Sequence, residues 1–239
     1  MEQLRLKTLP GLELPVLPGQ AHPCPYLPEQ RARSIYAFGP IDSTVYQELM
    51  DRGFRRSGEV FYRPTCPACT ACRSMRVDVD AFAPSRSQRR VLRRNVDIEI
   101  EVGSPAYDAE RFELFAWYQK EWHDGAMLGD AEDFARFLVD SPLHTVEMTY
   151  RAAGRLLGVG ILDVTPAGLS SVYFYFAPAA ARRSLGVFSA LCEIQLARKW
   201  GRRYWYPGFF VAGCRKMEYK RGYQPAELLH PDGVWRPFA

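Results

Sequence analysis

Beyond residue 143 the sequence places three strand patterns, one long helical pattern and a further strand in a fixed order, and this order restricts the fold more than any other feature. HTVEMTYR and RLLGVGILDV flank a turn at Ala152 to Gly154, and SSVYFYF follows. A helix from about Ser184 stops at Gly201, RRYWY reads as a short strand, and a helical KMEYKRGY and a terminal VWRPF complete the series. Strand, strand, strand, helix, strand, helix predicts an α+β fold with a mixed sheet flanked by helices.

The preceding half has a different character. Its first twenty residues repeat Leu and Pro without a period and read as an extended strip. Asp42-Ser43 opens a helix with Tyr46, Leu49 and Met50 on one side, GFRRSGEVFYRP reads as a hairpin turning at Ser57-Gly58, and MRVDVDAF alternates as a strand. Ser85 caps a helix over SQRRVLRRN that stops at Asn95, so Arg86, Arg89, Arg90, Arg93 and Arg94 lie within reach of one another. DIEIEV ends this half, and Gly103-Ser104-Pro105 marks a boundary that divides residues 1–104 from residues 105–239. Helices through RFELFAWYQKEW and AEDFARFLV open the second half.

Charge is concentrated in the first half. The formal net charge is +4, yet Arg52 to Arg94 carries eleven arginines and no lysine against Glu59, Asp78 and Asp80. Guanidinium forks suit phosphate and carboxylate, so an anionic partner fits this segment; a solvated cationic face explains the same charge. The N-terminus has no continuous apolar run of the signal-peptide kind, and no stretch approaches the roughly 18–20 apolar residues that cross a bilayer. The expectation is a cytoplasmic chain with no membrane partner, whose six cysteines stay reduced.

Three of those cysteines, Cys66, Cys69 and Cys72, form a C-x2-C-x2-C run, and Cys24-Pro25 stands earlier in the chain. Such donors fit an iron–sulfur cluster or a tetrahedral zinc ion, and four reduced thiols in a tight loop fit the same spacing. Cys192, within an apolar helix pattern, reads as core. Ala181 to Gly186 resembles an anion-binding turn at a helix start, with Ser184 as the N-cap and Gly186 allowing close approach of a ligand. In SSVYFYF the alternation puts Tyr173 and Tyr175 on one face and Phe174 and Phe176 on the other, so Tyr175 is a candidate beside a reacting acyl group. His123, next to Asp124 at a helix end, is a candidate general base. A nucleophile elbow and a Walker loop are both missing, which argues against acyl-enzyme chemistry and nucleotide hydrolysis.

Longer blocks carry a resemblance. CPYLPEQRAR, GFRRSGEVFYRPTCPACTACRSMRV, FAPSRSQRRVLRRN, LSSVYFYFAPAAARRSLGVFS and GCRKMEYKRGYQPAELL, spread over nearly the whole chain, are similar to the bacterial, leucine-transferring branch of the aminoacyl-tRNA-protein transferases. The chain departs from that pattern at Leu27, where relatives carry the second cysteine of a CxxC. A second departure is Tyr206-Pro207-Gly208-Phe209-Phe210, where the bacterial block reads Leu-Gly-Tyr-Trp after an aliphatic or tyrosine residue.

The resemblance implies two packed N-acetyltransferase-like halves and transfer of an amino acid, leucine first, from aminoacyl-tRNA to the α-amine of proteins starting with Asp or Glu, within N-degron protein degradation. It implies no cofactor for the chemistry itself. Arg63, Arg76 and Arg86 are the implied partners of the acidic acceptor side chain, with Ser184 in the substrate-binding turn. Arg89, Arg90, Arg93, Arg182, Arg183, Lys216 and Lys220 are the implied tRNA contacts. An arginyl donor, an acyl-CoA-dependent N-acyltransferase and a noncatalytic, metal-stabilised RNA-binding protein are the competing readings.

Overall fold

The computed structural model describes residues 5–8, 11–123 and 129–238. Its N-terminal strip forms strands β1 (Arg5–Lys7) and β2 (Glu13–Pro18), with Leu14 and Val16 buried. A short ribbon, β3 (His22–Pro23) with β4 (Arg31–Ala32), leads to β5 (Ser34–Ala37), helix α1 (Ser43–Asp51) and the hairpin β6 (Arg55–Ser57) and β7 (Val60–Pro64). Asp42 starts α1 because its carboxylate accepts from the Thr44 and Val45 N–H groups at 2.9 and 2.8 Å, satisfying two donors that lack helical partners. The expected apolar face then packs Tyr46, Leu49 and Met50 under a five-stranded sheet ordered β1-β2-β5-β7-β6.

The remaining chain continues as β8 (Cys72–Asp78), α2 (Arg86–Arg94), β9 (Glu99–Gly103), α3 (Ala109–His123) and α4 (Ala131–Phe134), which runs on as a π-helical turn. Strands β10 (Thr145–Ala152), β11 (Arg155–Val164) and β12 (Gly168–Phe176) follow, then α5 (Leu185–Lys199), β13 (Tyr204–Val211), β14 (Ala226–Leu229) and β15 (Trp235–Pro237). Turns of 3-10 helix at Pro178–Arg183 and Arg215–Gly222 link them.

These strands make one eight-stranded sheet ordered β15-β14-β8-β13-β12-β11-β10-β9. The fold is therefore α+β, a mixed sheet flanked by helices, in the element order that N-acetyltransferase-type acyltransferases use. Hairpin turns make most pairs antiparallel, but β12 and β13 run parallel because α5 carries the chain back between them. Alternation along β12 is realised: Tyr175 packs edge-on against Phe115 of α3, while Phe174 meets Tyr150 on the opposite face. Strands β8 and β9, both before residue 104, belong to this sheet; β8 lies between β13 and β14.

A buried ion pair joins the two sheets. Arg56 of β6 donates twice to Asp163 of β11, at 2.8 and 2.7 Å, and the two side chains are 1% and 0% exposed. Thr145 Oγ1 donates to the same carboxylate at 2.7 Å, and Arg56 donates to the Gly58 carbonyl at 2.6 Å. All the charge is thus matched by fixed partners, the condition under which a desolvated pair holds.

Candidate functional site

Strands β5 and β7 of the smaller sheet, the β3–β4 ribbon and the ends of β8 and β13 enclose a cavity of about 770 Å³. Five arginines line it: Arg31, Arg33, Arg52, Arg63 and Arg73. Among its lining residues the carboxylate is Asp51, which already faces Arg76 at 3.5 Å. Arg63 lies with its guanidinium 5.1 Å over the Phe54 ring and donates to the Arg52 carbonyl at 3.1 Å; burial, and then the charge of Arg52, lower its pKa. Arg33 Nε and Arg73 Nη1 are buried and have no hydrogen-bond partner among the described residues. Buried donors left without a partner are costly. Arg33 and Arg73 stand in the matching sequence blocks, but only the tertiary arrangement brings them beside Arg63.

Of the other implied acceptor residues, Arg76 and Arg86 stand elsewhere. Arg76 donates to Glu227 at 2.7 Å and lies 4.2 and 4.3 Å from the rings of Tyr204 and Trp235, so its charge is committed to holding β8 against β14. Arg86 is exposed on α2.

The cysteine expectation finds support only in part. Cys24, Cys66, Cys69 and Cys72 do share the cavity wall, but among the described residues no group of three or more His, Cys, Asp or Glu side chains is placed to hold a metal ion. The sulfurs bind backbone instead: Leu27 N–H donates to Cys24 at 3.4 Å, Arg33 N–H to Cys66 at 3.5 Å and Ala71 N–H to Cys69 at 3.5 Å. Burial first, then the neighbouring Cys66, Cys24 and Cys69, push the Cys72 thiol up to about 12. Among the described residues, the side chains as they stand give no support to an iron–sulfur cluster or zinc. Cys192 is buried core, as its pattern predicted.

Two further expectations change. Tyr175 is fully buried between Phe115 and Phe134 and packs the core. Ser184 does begin α5, but with left-handed backbone (φ 58°, ψ 47°) and with no capping bond from its hydroxyl. His123 ends α3, its ring 5.4 Å from Tyr118; Asp124 and Gly125 lie outside the described residues.

The basic surface is partly as expected. Ser85 and Gln88 form a reciprocal capping box that starts α2, leaving Arg86, Arg89, Arg90 and Arg93 exposed along it. The turn carrying Arg182 and Arg183 abuts this helix: Arg94 donates to the Arg182 carbonyl at 2.6 Å and Asn95 to the Arg183 carbonyl at 3.0 Å. Arg182 and Lys216 are exposed, whereas Arg183 is held bidentately by Asp97 at 2.8 Å.

Lys220 is the largest departure. It is 6% exposed and donates to the carbonyls of Pro207 at 2.8 Å and Phe209 at 2.6 Å, so it cannot reach phosphate on a surface. Burial, then the charge of Arg55, pull its pKa down to about 7. These carbonyls lie where β13 leaves β12, whose pairing covers Gly168 to Ser170 against Tyr204 to Tyr206. Arg55, also buried, reaches the same gap from β6 and donates to the Ser171 carbonyl at 2.6 Å. Gly208 sits between the two cations at φ +90°; a Cβ there would lie 3.7 Å from Lys220 Nζ and 3.8 Å from Arg55 Nη2.

Comparison with known proteins agrees with this architecture. The family model described as arginine-tRNA-protein transferase, N terminus, matches residues 22–90, and that for the C terminus matches residues 110–230. A Pseudomonas syringae protein named aspartate/glutamate leucyltransferase is 41% identical over 214 residues, 88% of this chain and 91% of its own length. A Chromobacterium violaceum protein of the same name is 40% identical over 219 residues, 90% of each. The crystal structure of FemX superposes with a TM-score of 0.52 at 10% identity, over 90% of this chain and 86% of its own, a likeness of fold. With matches along both halves, the chain belongs to the arginine-tRNA-protein transferase family.

Proposed function

We propose that this protein transfers leucine from Leu-tRNA to the α-amine of proteins that begin with Asp or Glu, marking them for degradation in an N-degron pathway of the cytoplasm. The observation that carries the acceptor half of this reading is the arginine-lined cavity with two unpartnered buried guanidinium nitrogens. An acidic side chain supplies the missing acceptor atoms. Arg63, Arg33 and Arg73 grip its carboxylate, while the exposed arginines of α2 and Arg182 meet tRNA phosphates. The leucyl donor is supported by the names of the relatives, the bacterial aspartate/glutamate leucyltransferases. Among the described residues no helix is long and apolar enough to cross a membrane.

The chemistry asks little of the protein. An aminoacyl ester is already activated, so aligning an uncharged amine with the ester carbonyl, accepting one proton and stabilising an oxyanion suffice. A covalent enzyme intermediate is unnecessary.

The test incubates the protein with radiolabelled Leu-tRNA, Arg-tRNA or acetyl-CoA and peptides beginning Asp, Glu or Ala. Transfer of leucine to the Asp and Glu peptides alone is expected. Transfer from Arg-tRNA or acetyl-CoA in its place would overturn the donor, and RNA binding without any transfer would overturn the enzyme. Arg63→Gln and Arg33→Gln should each lower kcat/KM on the Asp peptide by roughly 10- to 150-fold, the worth of one charge-assisted hydrogen bond. Equal losses on an Ala peptide would detach these residues from acceptor choice.

A further inference from the structure

Lys220 and Arg55 are buried cations with no carboxylate partner among the described residues, and both converge on Gly208 at the point where two neighbouring strands part. A structural lysine at such a depth is ordinarily paired with an acid. Here both hydrogen-bond partners are backbone carbonyls, Pro207 and Phe209. A neutral amine has two N–H donors and one lone pair, so these carbonyls satisfy it and leave the lone pair open. A protonated amine would carry a third, unmatched N–H beside the guanidinium of Arg55.

We infer, resting on the aminoacyl-transfer reading, that Lys220 is a catalytic residue, the proton carrier of the reaction, and that Arg55 beside it faces the oxyanion. The neutral α-amine of the acceptor attacks the ester carbonyl carbon of the aminoacyl-tRNA and the carbon–nitrogen bond forms. The surplus proton on that nitrogen passes to the Lys220 lone pair. The carbon–oxygen bond to the ribose then breaks, and the departing ribose oxygen takes the proton back from Lys220. The products are an amide and a ribose hydroxyl, and Lys220 is again neutral. Arg55 stays charged throughout and stabilises the negative oxygen of the tetrahedral intermediate.

The groups acting on Lys220 agree with this assignment. Arg55, from β6, disfavours the ammonium, and the Cys214 thiol, at the start of the 3-10 turn that carries Lys220, favours it; β13 contributes carbonyl oxygens. Burial outweighs both and brings the amine to about 7, where it exchanges a proton near neutral pH.

The test has a spectroscopic and a kinetic arm. Lysine occurs at five positions, Lys7, Lys120, Lys199, Lys216 and Lys220, so labelling with ε-13C-lysine gives five resonances. One of them should titrate with a midpoint near 7 in the wild-type protein and be absent from Lys220→Arg. The wild-type single-turnover rate, at saturating Leu-tRNA and Asp peptide, should rise with the same midpoint. Lys220→Met and Lys220→Arg should both lower that rate by about 100-fold or more, because arginine keeps the charge but accepts no proton, with tRNA and peptide affinities within about threefold of wild type. Lys220→Arg at wild-type rate overturns the assignment. So do five lysines that all titrate above about 9, or a rate midpoint that differs from the resonance; neither needs a variant to fold. A wild-type protein that transfers nothing from any aminoacyl-tRNA defeats the underlying reading instead, and the lysine titration still reports on Lys220.

Discussion

Asp163→Ala should be among the most destabilising single substitutions in this protein. It removes a carboxylate that is 0% exposed and accepts from Arg56 twice and from Thr145 once. Arg56 keeps its bond to the Gly58 carbonyl but becomes a buried charge with no counter-ion. Leaving such a charge behind costs about 3–5 kcal/mol, a large share of the roughly 5–15 kcal/mol that holds a folded domain. For a chain of this size each kcal/mol moves the melting temperature by about 2–4 °C, so calorimetry should find a fall of roughly 6–20 °C. Arg56→Met combined with Asp163→Leu supplies the diagnostic contrast, since replacing both partners with apolar groups removes the desolvation penalty together with the attraction. The double variant should be markedly more stable than Asp163→Ala. A loss below about 1 kcal/mol for the single variant, or a double variant no better than it, would refute the claim that desolvated charge sets the cost. Arg55 neighbours Arg56 on β6, so Asp163→Ala should also slow transfer at temperatures where the protein is still folded.

Gly208→Ala has room for its methyl group, but φ at +90° makes the backbone costly for alanine, by about 1–2 kcal/mol; thermal unfolding should show the loss, and an unchanged melting temperature would contradict it. Arg90→Glu or Arg93→Glu should weaken tRNA binding and flatten the plot of log affinity against log salt by roughly 0.7–0.9 for each phosphate no longer neutralised; an unchanged slope would take α2 out of the tRNA surface. Burial holds the Glu193 carboxyl above the usual carboxylate range, so its contribution is complete below the unfolded value and is lost as pH rises through the folded one. Glu193→Gln removes that loss, and urea unfolding between pH 4 and 8 should be less pH-dependent than in wild type, whereas parallel curves would show that Glu193 does not titrate as placed.

Local chemistry was legible in the sequence where its cause is local. Asp42 and Ser85 cap their helices because a side-chain oxygen two or three residues away is all that the orphaned N–H groups need, and the period of two in SSVYFYF sets its two faces whatever its neighbours. Partner choice was not legible. The pattern of MRVDVDAF predicts a strand but says nothing of β13 and β14 on its two sides, and β14 itself, four residues long, carries no comparable signal. Charged residues misled for a related reason. The sequence blocks put Arg76 beside the acceptor carboxylate and Lys220 on the tRNA surface, yet Arg76 is consumed by Glu227 and two aromatic rings, and Lys220 is buried against carbonyls that only a parting of strands exposes. Arg33 and Arg73 escaped notice because a guanidinium nitrogen left without an acceptor is a property of the cavity and not of the chain.

Strand β13 explains why a cavity in one sheet and a cation pair at another can serve one reaction. In an N-terminal Asp or Glu the carboxylate and the α-amine are separated by only two or three carbons, so groups that read the first and deprotonate the second must lie within a few bond lengths of each other. Phe209 meets that condition: its side of the strand lines the arginine cavity, and its carbonyl holds Lys220. Adding one methylene, from Asp to Glu, moves the carboxylate by little more than a bond length, which a cavity of about 770 Å³ accommodates without moving the amine. On the proposed reading, neutral side chains of similar size leave Arg33 Nε and Arg73 Nη1 without an acceptor, so desolvated charge rather than shape disfavours them. On the same reading the donor arrives across the gap between β12 and β13, with its phosphates on the exposed arginines of α2 and Arg182. Choice of acceptor and choice of donor are, on this proposal, made on opposite sides of a single strand.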